Sequence, residues 1–228
     1  MIQQQLSGIR ACVFDAYGTL FDFNAAAARC REALGLHADA LSKLWREKQL
    51  QYTWLRSLMG RHSDFWHVTA EALDFAMREL RISDANLHAR LMELYRTLDV
   101  FPDVRHTLEK LKAADLKTAI LSNGSPEMLS SAIEGAGIGH LLDAVLSIEV
   151  VGIYKPHPSV YRLAADYFEL EARAICFLSS NAWDAHGAAA FGLRVIWCNR
   201  FGQQPEILPG SPDVETRTLA EVPALLGL

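Results

Sequence analysis

Five short apolar runs, separated by stretches long enough to hold helices, constrain this chain more than any other feature. They are Ile9–Phe14, Lys117–Leu121, Ala144–Ile148, Ala174–Leu178 and Arg194–Cys198. Each is rich in Val, Ile, Leu, Phe or Cys and suits a strand buried on both faces. Between the later runs, apolar residues recur at helical spacing. Val104, Leu108 and Leu111 share a face, as do Tyr161 and Ala165, and Ser125-Pro126 supplies an N-cap followed by a first-turn proline. Strands alternating with helices imply an α/β fold with a doubly wound parallel sheet, a Rossmann-like core.

One stretch breaks the rhythm. From Asn24 to Asp99 no strand pattern occurs, and apolar residues recur at helical spacing through Phe65, Val68, Ala72, Ala76 and Leu80, then Leu87, Leu91, Leu94 and Leu98. The expected organisation is a catalytic core of residues 1–22 and 100–228 with a helical cap, residues 23–99, inserted after the first strand. A length of 228 residues accommodates a core plus such an insert, given about 150 residues per domain. The segment Pro205–Pro212 holds three prolines and reads as irregular surface.

Composition narrows the class of partner. A formal net charge of −5 argues against nucleic acid, which needs a basic face. No apolar run approaches the roughly 18 residues that would span a membrane. Residues 1–8 lack the layout of a signal peptide. Cys12, Cys30, Cys176 and Cys198 form no zinc or redox motif and read as buried free thiols. A reducing compartment, most simply the cytoplasm, is expected.

Polar clusters stand beside four of the five runs: Asp15–Thr19 after the first, Ser122-Asn123-Gly124 after the second, Tyr154-Lys155-Pro156 a few residues beyond the third, and Ser179–Asp184 after the fourth. In a parallel sheet the strand ends share one edge, where ligands bind, so these clusters converge in space. An isolated Asp after a strand more often caps a turn, a lone Lys before Pro more often lies at the surface, and a Ser there more often caps the next turn. Asp15, Lys155 and Asp184 expected on one edge favour a reactive role for the carboxylate.

The segment Phe14-Asp15-Ala16-Tyr17-Gly18-Thr19-Leu20-Phe21-Asp22 resembles the first motif of the haloacid dehalogenase superfamily. Ser122-Asn123-Gly124 resembles its second motif and Lys155-Pro156 its third. Ser179-Ser180-Asn181-Ala182-Trp183-Asp184 is similar to the last motif of the L-2-haloacid dehalogenase branch. Leu44-Trp45-Arg46, Gln49-Leu50 and Tyr52-Thr53-Trp54 resemble that branch's cap. The likeness runs through nearly the whole chain. It implies hydrolysis of short-chain (S)-2-haloacids to (R)-2-hydroxy acids and halide.

The chemistry follows from the side chains. The resemblance makes Asp15 the covalent nucleophile. Superfamily phosphatases usually carry Asp at the position of Tyr17, as acid for an alkoxide. A phenol with a reference pKa of about 10 is a poor replacement, whereas halide leaves unprotonated. Asn181 in a Ser/Asn-rich setting leaves too few hard oxygen ligands for magnesium, so no metal or other cofactor is expected. Lys155 neutralises the crowded carboxylates. Asp184 is the candidate to activate water, with Asn181 placing it. Thr19 and Ser179 are supports for Asp15 and Lys155. Ser122, with backbone N–H groups at Ala16 and Tyr17, is the candidate site for the substrate carboxylate. Arg46 and Asn123 are the resemblance-based halide partners, with Trp183 as an apolar wall. Tyr17, Leu50, Phe65 and Trp183 are candidates for the pocket of the alkyl chain, and Tyr161 for a hydrogen bond within the site; ordinary core packing explains Phe65 and Tyr161 almost as well. Glu47 stands beside Arg46 where relatives often have Gln, and is tolerable only if it points outward to a cation. The resemblance and the cap's exposed face also suggest a homodimer. A magnesium-dependent phosphohydrolase and a non-catalytic interaction protein are the alternatives.

Overall fold

The computed structural model describes residues 5–23, 29 and 31–228. In chain order its elements are β1 (Ala11–Phe14), α1 (Arg31–Leu34), α2 (Ala38–Met59), α3 (Phe65–Glu79), α4 (Ala85–Arg96) and α5 (Val104–Ala113). There follow β2 (Lys117–Ser122), α6 (Pro126–Ala136), β3 (Ala144–Ser147), α7 (Pro158–Phe168), β4 (Ile175–Ser179), α8 (Ala182–Phe191), β5 (Arg194–Cys198), β6 (Val214–Thr216) and α9 (Val222–Leu225).

The six strands form one sheet in the order β3-β2-β1-β4-β5-β6, with every pair parallel. All five apolar runs are strands. β6 is the one the pattern did not reveal: only three residues long, with Glu215 in its middle, it offers no apolar run. β1 lies between β2 and β4, and every residue of β1 is fully buried. A strand covered on both faces must be apolar throughout, which is why these runs do not alternate. The chain moves outward from β1 to β3, then returns to place β4 on the other side of β1. That reversal opens a crevice at the carboxyl ends of β1 and β4, where open α/β sheets bind ligands.

The stretch between β1 and β2 is helical, with no sheet strand among its described residues. Within the expected insert, residues 24–28 and Cys30 lie outside the described residues. The two chain crossings run side by side. Asp22 N–H donates to the Asp99 carbonyl at 2.9 Å, Phe101 N–H donates to Leu20 at 2.9 Å, and Phe21 bridges Val100 antiparallel.

Local chemistry sets the helix ends. Asp64 caps α3 through His67 N–H and Ser125 caps α6 through Met128 N–H, with Pro126 in the first turn. α2 stops at Gly60, whose φ of +62° is left-handed backbone that glycine adopts without strain. α2 and α3 are pinned together by the Trp45 indole N–H on the Thr69 carbonyl and by the Gln49 amide on Thr69 Oγ1. Phe65, Val68, Ala72 and Ala76 turn inward from α3, as the spacing predicts. Residues 203–209 are exposed and irregular, as their prolines suggested.

Candidate active site

Asp15 leaves the end of β1 with its backbone N–H on the Leu178 carbonyl of β4. The turn behind it is closed by the Ala16 carbonyl, which accepts from the N–H groups of Thr19, Leu20 and Phe21. Gly18 adopts φ +87°, and a Cβ there would come within 2.9 Å of the Phe23 ring. The carboxylate is nearly buried, so each oxygen must be satisfied. Oδ1 accepts from Lys155 Nζ at 3.0 Å; Oδ2 accepts from Thr19 Oγ1 at 3.2 Å and Asn181 Nδ2 at 2.9 Å.

Lys155 is 1% exposed and bridges two carboxylates, with Asp184 Oδ2 at 2.9 Å. Burial opposes its charge, but Asp15 and Asp184 outweigh that and raise its pKa, so the ammonium is fixed. Asp184 is fully buried in the first turn of α8, where the helix dipole favours an anion. Its Oδ1 accepts from Tyr161 Oη at 2.7 Å, and its Oδ2 also accepts from Ser179 Oγ at 3.0 Å. Its pKa is raised, first by burial; Lys155 opposes this and Asp15 adds to it. Two anions thus share one cation. A carboxylate of raised basicity beside Asp15 is suited to taking a proton from water.

Asn181 occupies the N-cap position of α8 but does not cap it. Its amide is spent on Asp15 and on the Tyr17 carbonyl at 3.2 Å. Forgoing an Asn cap costs a helix about 1 kcal/mol, a cost that the site's geometry outweighs. From α2, Arg46 Nη2 reaches Asn181 Oδ1 at 3.2 Å, while Nη1 holds Gln49 Oε1 at 2.6 Å. This guanidinium therefore points into the crevice. Glu47 turns outward toward Lys43, 3.9 Å away, and leaves Arg46 unopposed by its neighbour.

The remaining candidates surround this centre. Asn123 Oδ1 accepts the Lys155 N–H at 3.1 Å. Ser122 is fully buried, and its Oγ accepts the Gly124 N–H at 3.0 Å, the turn-capping contact expected of such a serine. Tyr17 packs on Phe65 with ring centroids 5.8 Å apart, and a Cβ on Gly124 would approach its ring within 2.9 Å. Trp183 meets Trp54 of α2 edge-on at 5.5 Å. Leu50 lies half-buried on α2, one turn beyond Arg46.

A family model described as haloacid dehalogenase-like hydrolase matches residues 9–192. The chain is 45% identical to (S)-2-haloacid dehalogenase 1 of Pseudomonas sp. (strain CBS-3), over 96% of each chain. It is 46% identical to (S)-2-haloacid dehalogenase 4A of Burkholderia cepacia, over 88% of this chain and 87% of that one. The chain belongs to the haloacid dehalogenase-like hydrolases, in the (S)-2-haloacid dehalogenase branch. A solved structure, the L-2-haloacid dehalogenase of Xanthobacter autotrophicus with chloropropionic acid covalently bound, is 35% identical. Its TM-score is 0.89, and the match covers 96% of this chain and 98% of that one.

In this haloacid dehalogenase-like chain, two features of the site escaped the reading of sequence, and a third, Tyr154, was read only as a member of the polar cluster around Lys155. Arg200 is paired with Asp103 at 2.9 Å and donates to the Thr19 carbonyl at 3.0 Å, bracing the loop that follows Asp15. Burial opposes ionisation of Asp103, but hydrogen bonds from Arg200 and Thr218 and the guanidinium charge hold its carboxyl below the usual range. Gly187 clears space on α8: a Cβ there would lie 2.6 Å from the Tyr161 hydroxyl and from Pro156. Tyr154, fully buried, precedes Lys155 and contacts Phe65. Only Tyr154 carried a signal, its place beside Lys155. Arg200, Asp103 and Gly187 look in sequence like ordinary loop and helix residues.

Proposed function

We propose that this chain hydrolyses short-chain (S)-2-haloacids to (R)-2-hydroxy acids and halide through an ester on Asp15. The observation that carries the reading is a nucleophile-ready carboxylate at the sheet's reversal point, paired with a fixed ammonium, with Tyr17 where a phosphatase would hold an acid. The names of the relatives, and the covalently bound chloropropionic acid in the Xanthobacter autotrophicus structure, point the same way.

In the first step an Asp15 oxygen bonds to the substrate's alpha carbon from the face opposite the halogen, and the carbon–halogen electron pair leaves with the halide. Arg46, Asn123 and the Trp183 wall take up the developing halide. Ser122, with the backbone N–H groups of Ala16 and Tyr17, holds the substrate carboxylate, and Tyr17, Leu50, Phe65 and Trp183 enclose the alkyl chain. In the second step water attacks the Asp15 side-chain carbonyl carbon. Asn181 positions the water; Asp184 takes its proton and passes it to the alkoxide oxygen as the ester C–O bond breaks, so the hydroxy acid leaves with its new oxygen drawn from Asp15, and the re-formed Asp15 carboxyl loses its proton to solvent. Thr19, Ser179 and Tyr161 hold Asp15 and Asp184 in place. One substitution at the stereocentre gives inversion.

We read the reaction as metal-independent. Both oxygens of Asp15 and both of Asp184 already accept hydrogen bonds from Lys155, Thr19, Asn181, Ser179 or Tyr161. The Lys155 ammonium lies between the two carboxylates and neutralises part of their charge. Among the described residues no three His, Cys, Asp or Glu side chains cluster to hold a metal. The crevice and its loops are assigned to a core of residues 1–22 and 100–228, and Arg46 to a cap of residues 23–99. The exposed apolar stripe Leu55, Leu58 and Met59 on α2 is the face we assign to a homodimer. Buried free thiols at Cys12, Cys176 and Cys198 fit a cytoplasmic setting. No helix of the described residues is long and apolar enough to cross a membrane.

The test is halide release from each enantiomer of 2-chloropropionate, with and without chelator. Chloride from the (S) form alone, unaffected by chelator, is the expected result. Chelator-sensitive phosphate release from a phosphomonoester, with no chloride, would favour the phosphohydrolase instead.

A further inference from the structure

Tyr154 precedes Lys155 in the chain, yet its partners come from the helices inserted after β1 rather than from the sheet. Its backbone N–H lies 3.2 Å from Ser57 Oγ near the end of α2. Its hydroxyl donates to the Ser63 carbonyl between α2 and α3. Its ring packs 6.2 Å from that of Phe65 and 5.3 Å from that of His62. His62 makes a second tie across the same seam, 2.8 Å from Glu149. The next residue belongs to the core: Lys155 N–H is held by Asn123 Oδ1, and Nζ is held between Asp15 and Asp184. Burial, and then the charge of Glu149, push the Tyr154 phenol up, so it remains a protonated donor. Two consecutive residues are thus tethered in opposite directions, one to the insert and one to the core.

We propose that Tyr154 is a positioning residue that links the seating of the helical insert to the placement of the Lys155 ammonium between Asp15 and Asp184. The same insert carries Arg46 into the crevice, so its seating delivers the guanidinium and fixes the ammonium together. Tyr154 acts through Lys155. The consequence for turnover rests on the function proposed above; the geometric link does not.

The test uses the full chain with Tyr154→Phe, which keeps the ring and removes the hydroxyl tie, and Ser57→Ala, which removes the backbone tie. The first readout is hydrogen exchange of the Lys155 ammonium by nitrogen-15 NMR, which is independent of any reaction. The second is steady-state halide release from (S)-2-chloropropionate. Each variant is expected to speed ammonium exchange about tenfold. Each is also expected to lower kcat about tenfold with KM changed less than about twofold. The thermal midpoint should fall by no more than about 4 °C, the scale of one lost hydrogen bond. Exchange unchanged in both variants overturns the proposal, as does an unchanged kcat despite faster exchange. Failure of the wild-type chain to release halide would instead remove the proposed reaction, and the exchange measurement would still decide the link.

Discussion

Replacing Asp15 by asparagine is expected to lower halide release by at least about 10⁴-fold while the fold survives. An amide has no nucleophilic oxygen anion, and no neighbour can substitute for it. Asp184 is the nearest alternative carboxylate in the cluster, but its side chain is fully buried, whereas that of Asp15 keeps some exposure toward the crevice. Stability should hold or rise. The wild-type cluster buries two carboxylates against one ammonium, and Asp15→Asn leaves a single ion pair between Lys155 and Asp184. Thr19 and Asn181 can each rotate to meet an amide. The check is halide release together with a thermal melt. Substantial activity in this variant would remove Asp15 from its assigned role.

Lys155→Met is expected to have the opposite stability signature. Methionine replaces the buried stem well enough, but it leaves Asp15 and Asp184 facing each other without a cation. Breaking a buried pair by removing one partner costs about 3–5 kcal/mol. At this chain length that lowers the thermal midpoint by about 10 °C or more. Activity should fall at least about 10³-fold even at temperatures where the variant is folded, because one carboxylate must then take a proton. Part of the lost stability should return in Lys155→Met combined with Asp15→Asn, since the repulsion between the two carboxylates is then gone while Asp184 stays without its cation. Melts of the two single variants and the double variant check this. Equal destabilisation in the single and double variants would contradict the shared-cation account.

The strands were legible because burial on both faces leaves a one-dimensional mark, a short unbroken apolar run, and β1 to β5 all carry it. β6 does not, since edge position lets Glu215 face outward. Helical spacing marked the insert equally well. The site was legible to the extent that its residues sit directly at strand ends: Asp15, Ser122 and Ser179 follow from the sheet alone. Lys155 needed more, for it lies eight residues beyond the end of β3, and only its partners reveal what it does. Residues that act by shape were invisible. Gly187 matters for the side chain it lacks, and Arg200 matters because the fold returns it to the Thr19 carbonyl from a distant loop. Glu47 beside Arg46 looked like an obstacle in sequence. Helix geometry resolves it, since adjacent residues point about 100° apart and the acid faces Lys43.

The most direct measurement is a single turnover in heavy-oxygen water with enzyme in excess over (S)-2-chloropropionate. Covalent attack requires the first product's new oxygen to come from Asp15, so the label should appear in the peptide containing Asp15, with unlabelled hydroxy acid released. Labelled hydroxy acid from an unlabelled Asp15 peptide would mean that water displaced the halide directly, and would contradict the ester on Asp15.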